Sequence, residues 1–178
     1  MRSASDAAAD WLAPETMVVG SVVIPPCFWI IAAVMRVVPA RFADREDWGT
    51  LRRALWPDAD EGDMARMLKE PARFAAFIAY ETNGRAIGFA EASLRHDYVN
   101  GCDTSPVGFL EGIYVAPLFR RRGVAASLVS AVEQWTLAQG AIELASDALI
   151  DNVDSHRMHA ALGFEESERV VSFRKSLG

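Results

Sequence analysis

Ile113-Tyr114-Val115-Ala116-Pro117-Leu118-Phe119-Arg120-Arg121-Arg122-Gly123-Val124-Ala125 is the stretch whose reading decides the fold. An apolar run ends at a proline. Three arginines follow, then Gly-Val-Ala, then a segment with Leu128, Val129, Val132 and Trp135 at helical spacing. The pattern predicts a strand, a tight turn and a helix running to about Gln139, where Gly140 stops it. Arg120, Gly123 and Ala125 form an R-x-x-G-x-A turn. Its small residues stand where backbone must approach a ligand, and the helix behind it aims unpaired N–H groups and a positive dipole end at the same place. Such a turn suits a pyrophosphate, with Arg120, Arg121 and Arg122 adding positive field.

The elements outward from this turn alternate hairpins with crossovers. Val37-Val38 reads as a short strand. Asp44 is placed to cap a helix through Trp56, with Trp48, Leu51 and Leu55 on one face, and Asp60 to cap a second helix carrying Met64, Met67 and Leu68. Phe74 to Tyr80 and Ala86 to Arg95 are strands joined by an Asn83-Gly84 hairpin turn. His96 to Pro106 is a polar loop and Val107 to Val115 the next strand. Beyond the central helix, Ile142 to Ser146 is a strand and Asp147 to Asn152 a loop. Ser155 is placed to cap a short helix to Leu162, which Gly163 closes, and Phe164 to Phe173 is a last strand. This order predicts an α/β (α+β) protein with a mixed, mostly antiparallel central sheet flanked by helices.

Residues 1–34 differ from the rest. Met1 to Asp10 is small, polar and Ala-rich, and reads as disordered. Val18 to Val34 is almost wholly apolar, but Pro25-Pro26 interrupts it and acidic residues precede it. Both features argue against a membrane span or a signal peptide. The expectation is a disordered or loosely packed extension over 1–34 and one domain over 35–178. A chain of 178 residues with 51% hydrophobic content has room for a full core. The net charge of −6 opposes a nucleic-acid partner and favours cationic ones. Cys27 and Cys102 lack metal-ligand spacing and read as free thiols of a cytoplasmic protein. His96, His156 and His159 form no zinc pattern, and no metal is expected.

The V-x-P strand end joined to R-x-x-G-x-A resembles the acetyl-coenzyme-A-binding motif of the GCN5-related N-acetyltransferase (GNAT) superfamily, whose element order is the one above. A narrower resemblance covers most of the chain from Met35 onward. ASLRHDYVNGCDTSPVGFLEGIYVAPLFRRRGVA (Ala92 to Ala125), ELASD (Glu143 to Asp147), HAALGFEESERV (His159 to Val170) and LRRALWP (Leu51 to Pro57) look very like the chromosomal Gram-negative aminoglycoside 6′-N-acetyltransferases. That resemblance implies acetyl transfer from acetyl-coenzyme A to the 6′-amine of antibiotics such as kanamycin, and a homodimer. It places Ile113, Val115, Arg120, Arg121, Arg122, Gly123, Val124, Ala125 and Asn152 on the cofactor, although Asn152 equally suits a helix cap. It places Trp56, Tyr98, Glu111, Asp147 and Glu168 around the acceptor.

The residue chemistry agrees, because a polycationic acceptor needs carboxylates converging from several segments. Glu111 interrupts the apolar FLEGIYV strand just before the turn. It is the residue expected to face the amine and help deprotonate it, directly or through a water. Asp147 follows a strand end and also suits a turn aspartate. Trp56, before a proline, equally suits a staple of the helix end into the core. His159 stands where many GNAT enzymes carry a tyrosine that protonates the leaving thiolate. A histidine can serve there, or merely sit on a helix face. Two other classes remain open from sequence alone: a GNAT enzyme for another amine, and a non-catalytic acetyl-coenzyme-A sensor.

Overall fold

The computed structural model describes residues 35–177 together with Val18–Val19 and Val22–Val23. The chain divides into two units, residues 1–34 and 35–178. In the first, Val18–Val19 pairs antiparallel with Val22–Val23. The expectations of disorder over 1–10 and of no membrane span over Val18 to Val34 otherwise lie outside the described residues. Among those residues no helix is long and apolar enough to cross a membrane.

The second unit is built on a five-stranded sheet in sequential order: β1 (Met35–Pro39), β2 (Phe74–Glu81), β3 (Ala86–Arg95), β4 (Val107–Val115) and β5 (Leu144–Ser146). Helices α1 (Arg45–Leu55) and α2 (Glu61–Lys69) lie between β1 and β2, α3 (Val124–Ala138) between β4 and β5, and α4 (Val153–Ala161) after β5. The first four strands pair antiparallel, and β5 pairs parallel to β4. Through α4 the order is the one the sequence pattern predicts. Two large clusters and a small one around Val99, Val107 and Phe109 make up the core. One large cluster packs Leu128, Val129 and Val132 of α3 against Ala79, Ala90 and Leu110 of the sheet. The other packs Trp48 and Leu51 of α1 and Met64 and Met67 of α2 against Ile78, Tyr80 and Phe89. Each large side chain buried this way contributes about 1.5–3 kcal/mol.

Three local expectations are corrected. Phe164 to Phe173 is not a strand: residues 164–177 carry no regular structure. Their apolar residues meet no neighbouring strand, and a β-prone segment makes no ladder without one. Val170, Val171 and Phe173 are exposed. Secondly, Asn152 rather than Ser155 caps α4, its side chain accepting from Ser155 N–H at 3.1 Å. Thirdly, β5 begins at Leu144 rather than Ile142. Asp44 does precede α1, but its carboxylate turns back to accept from Arg41 N–H at 2.9 Å and the Tyr80 hydroxyl at 3.0 Å, tying the helix entry to β2. Asp60 caps α2 as expected, accepting from Gly62 N–H at 2.9 Å.

Candidate active site

The parallel ladder between β4 and β5 is short. It runs Gly108↔Leu144, Phe109↔Ala145 and Leu110↔Ser146, and then stops. Strand β4 continues five residues further, to Val115, paired only with β3. Ala116 N–H bonds Ile87 O on the β3 side. Alternation along the strand therefore turns the N–H groups of Ile113 and Val115 toward the open edge. That edge leads into the turn. Gly123 has φ +80°, and a Cβ there would meet nothing within 4 Å. The glycine is required by its backbone conformation, and the space beside it is free for a ligand. The helix it opens has no side-chain cap. Ser127 N–H makes the first backbone bond back to Gly123 O, so the N–H groups of Val124, Ala125 and Ala126 project unpaired from the first turn.

The arginines divide their tasks. Arg120 Nε–H donates to Val115 O at 3.0 Å, bracing the turn against the strand end. Arg121 takes a left-handed φ of 60°. The Arg122 guanidinium lies over the Phe119 ring, 5.6 Å from its centroid. Val124 is buried in the core, so only its backbone faces the turn. Asn152 is committed to its capping bond.

A cavity of about 660 Å³ lies on the α1–α2 face of the sheet, walled by Trp56, Met67 and Phe74. Five carboxylates line it (Asp58, Asp60, Asp63, Glu91 and Glu111) against two guanidiniums, Arg52 and Arg66. The excess negative charge suits a cationic ligand. Trp56 packs edge-on to Phe89, with ring centroids 5.8 Å apart. It also covers Gly112 so closely that a Cβ on that residue would overlap the indole. Gly112→Ala is therefore expected to tip the indole off the wall and raise the acceptor's apparent KM at least several-fold. It should cost about 1–3 kcal/mol of stability through overpacking. Denaturant unfolding and initial-rate kinetics would measure the two effects.

Glu111 sits where the β3–β4 register shifts, between the Glu91↔Gly112 and Ala92↔Leu110 pairs. Such a bulge re-aims a side chain. Both its carboxylate oxygens accept from Arg95 Nη2, each at 2.9 Å, and the Ser93 hydroxyl donates to Oε1. Next to this pair lies Glu91, 3% exposed, which the sequence reading missed. Its Oε1 accepts from Trp48 Nε1–H at 2.7 Å and lies 2.7 Å from Arg52 Nε. The Arg52 N–H is not aligned for a hydrogen bond, so that contact is a close ion pair. Arg52 in turn donates to Asp60 O at 2.8 Å. Burial pushes the Glu91 carboxyl up to about 7, against the opposing pull of Arg52 and the Trp48 N–H. Breaking such a buried pair costs about 3–5 kcal/mol. The missed signal was period two. Glu91, Ser93 and Arg95 stand at i, i+2 and i+4 in AIGFAEASLR, three polar groups on one face of a buried strand.

Other expected site residues lie outside this cavity. Tyr98 is 80% exposed in the loop after β3. Asp147 is exposed just past β5, and Glu168 accepts from Asn100 Nδ2 at 2.9 Å. The 96–106 loop is anchored to β5 by Glu143, which accepts from the backbone of Asp103 and Thr104. His159 lies at the end of the β4–β5 ladder. Its Nδ1 is 2.8 Å from Ser155 O, which can only accept, so Nδ1 carries the proton. Nε2 lies 3.0 Å from the Ser146 hydroxyl, which donates its one proton to Leu110 O at 3.1 Å.

A sheet that parts beside an uncapped helix turn offers free backbone N–H groups to an extended, phosphate-bearing ligand. The chain belongs to the acetyltransferase (GNAT) family, whose model matches residues 42–164. It is 49% identical over 146 residues to an aminoglycoside N(6′)-acetyltransferase type 1 of Acinetobacter genomosp. 13, spanning 81% of this chain and all of that one. It is 53% identical over 135 residues to the Serratia marcescens enzyme of the same name, spanning 74% and 92%. Among solved structures it resembles AAC(6′)-Iy in complex with the bisubstrate analogue CoA-S-monomethyl-acetylneamine, with TM-score 0.75, 49% identity and coverage of 80% and 98%. It likewise resembles AAC(6′)-Ih of Acinetobacter baumannii, with TM-score 0.77, 46% identity and coverage of 81% and 99%.

Proposed function

We propose that this chain transfers acetyl from acetyl-coenzyme A to the 6′-amine of aminoglycosides and so confers resistance to them. Residues 35–178 would carry the activity. The observation that carries this reading is the two-sided use of β4. Its open edge offers unpaired N–H groups leading to an uncapped helix turn, and its face closes a carboxylate-rich cavity. The activities named for the relatives and the analogue bound to AAC(6′)-Iy support the same assignment.

The backbone of Gly123, Val124 and Ala125 would hold the pyrophosphate, and Ile113 and Val115 the pantetheine amides, with Arg121 and Arg122 adding charge. One N–H of the Glu111–Val115 strand would stabilise the oxyanion. Glu111 would orient the acceptor ammonium, Trp56 would stack on a sugar ring, and Asp58, Asp60 and Asp63 would hold further ammonium groups. Tyr98, Asp147 and Glu168 would meet parts of the acceptor that extend beyond the cavity. Asp147 follows Ser146, where the β4–β5 ladder ends. The amine attacks the thioester directly, and the departing thiolate would recover a proton from the His159–Ser146 pair.

We infer further that the protein works as a homodimer in the cytoplasm, where its co-substrate is made. Exposed Val170, Val171, Phe173 and Leu177 on an unpaired segment support pairing with a second copy. The activity is tested by thiol release from acetyl-coenzyme A. Kanamycin is expected to drive it, and an aminoglycoside with hydroxyl in place of the 6′-amine is not. Equal release with both compounds, or none with either, would overturn the assignment.

A further inference from the structure

We propose that Glu91 is the proton acceptor for the acceptor ammonium, leaving Glu111 to orient it; this rests on the acetyl-transfer reading above. The two carboxylates differ in what remains free. Both oxygens of Glu111 are held by the Arg95 guanidinium, and one also takes the Ser93 hydroxyl. Its charge is shared and its lone pairs are largely spent. Glu91 gathers its contacts on Oε1 alone, from Trp48 and Arg52. No described residue donates to Oε2. Among the described residues that oxygen is not one of the sealed, unpartnered polar atoms, and its residue lines the cavity. A carboxylate nine-tenths buried, with one oxygen fixed and the other open on a cation-binding cavity, is built to exchange a proton there.

The proton balance closes without a further reagent. The ammonium gives one proton to Glu91 Oε2, directly or through water in the cavity, and becomes a neutral amine. Its lone pair forms the C–N bond, the C–S bond breaks, and the second N–H proton replaces the one that the His159–Ser146 pair passes to the thiolate. Glu91 then returns its proton to solvent, so each turnover yields amide, free thiol and one proton. A base of this kind works best when it titrates near the operating pH. Burial brings Glu91 to about 7. The groups that set this value are Trp48 and Arg52 of α1 and Asp63 of α2, while Arg66 and Glu111 share the cavity. Since only the ionised form accepts, kcat/KM should rise with pH through about 7 and level off above it.

The experiment follows kanamycin-dependent thiol release against pH in the full chain and two variants. The wild-type enzyme must first show release; if it does not, the acetyl-transfer reading fails, independently of Glu91. Glu91→Gln is expected to lose about 100-fold in turnover, in the usual range for removing a general base, with acetyl-coenzyme A binding retained. Should that variant not fold, Trp48→Phe decides. It removes the N–H that favours the ionised carboxylate, so the acidic limb should move to higher pH while activity above the limb persists. The acceptor's own titration is common to all three proteins and cannot produce this displacement. A purely structural role for the network would lower the rate without moving the limb. Wild-type turnover in folded Glu91→Gln, or an unmoved limb in Trp48→Phe, would overturn the proposal.

Discussion

Gly123→Val is expected to weaken acetyl-coenzyme A binding by about 100-fold or more. The reason is twofold. At φ +80° a β-branched residue is a backbone outlier, so the turn must reshape to admit it. The space beside Gly123, empty of protein for 4 Å, is also where a valine would stand between the phosphates and the free N–H groups. Two charge-assisted hydrogen bonds lost at about 1.5–3 kcal/mol each account for the magnitude. Arg121→Ala should cost far less, about tenfold or under, since an exposed arginine acts through screened charge. A cofactor titration by calorimetry on both variants, with unfolding curves as control, makes the comparison. Equal losses would show that the arginine side chain, not the turn backbone, makes the main contact.

Glu111→Gln should lower kcat/KM for the acceptor by about 100-fold while leaving acetyl-coenzyme A affinity within twofold, because the residue faces the cavity and not the open strand edge. The substitution keeps the shape but strips the charge that Arg95 and the incoming ammonium must share. Arg95 is then left as an uncompensated cation beside the place the ammonium must occupy, which compounds the loss. Asp147→Asn and Glu168→Gln should mainly raise KM, since they would bind ammonium groups that do not react. Added salt should weaken acceptor binding more than cofactor binding. Full turnover in Glu111→Gln would remove that residue from the amine's surroundings.

The sheet order and the turn were legible because their signals are local. Proline and glycine punctuate β4 and α3, and Asn83-Gly84 turns the β2–β3 hairpin with Gly84 at φ +87°. Glu111 was legible as a charge breaking an apolar strand. Glu91 was not, because its meaning depends on Trp48 and Arg52, 43 and 39 positions earlier, which meet it only once α1 packs on the sheet. The Arg95 clamp on Glu111 was hidden for a related reason: the bulge that turns Glu111 toward it is a property of strand pairing, not of composition. The C-terminal segment misled in the opposite way. Phe164 to Phe173 holds the β-branched and aromatic residues of a strand, but pairing needs a partner, and β5 ends after three residues.

The contact between Trp56 and Gly112 also limits how this enzyme's substrate range can evolve. While the indole lies across Gly112, no residue bearing a Cβ fits at position 112. Selection for a reshaped drug cavity must therefore change position 56 first. Only after a smaller side chain stands there does the strand position become open to variation. The two sites would then show sign epistasis, with a change at 112 harmful on the ancestral background and tolerated on the altered one. Of the two mutational orders leading to the same double variant, one is open and the other passes through a destabilised intermediate that binds the acceptor less well.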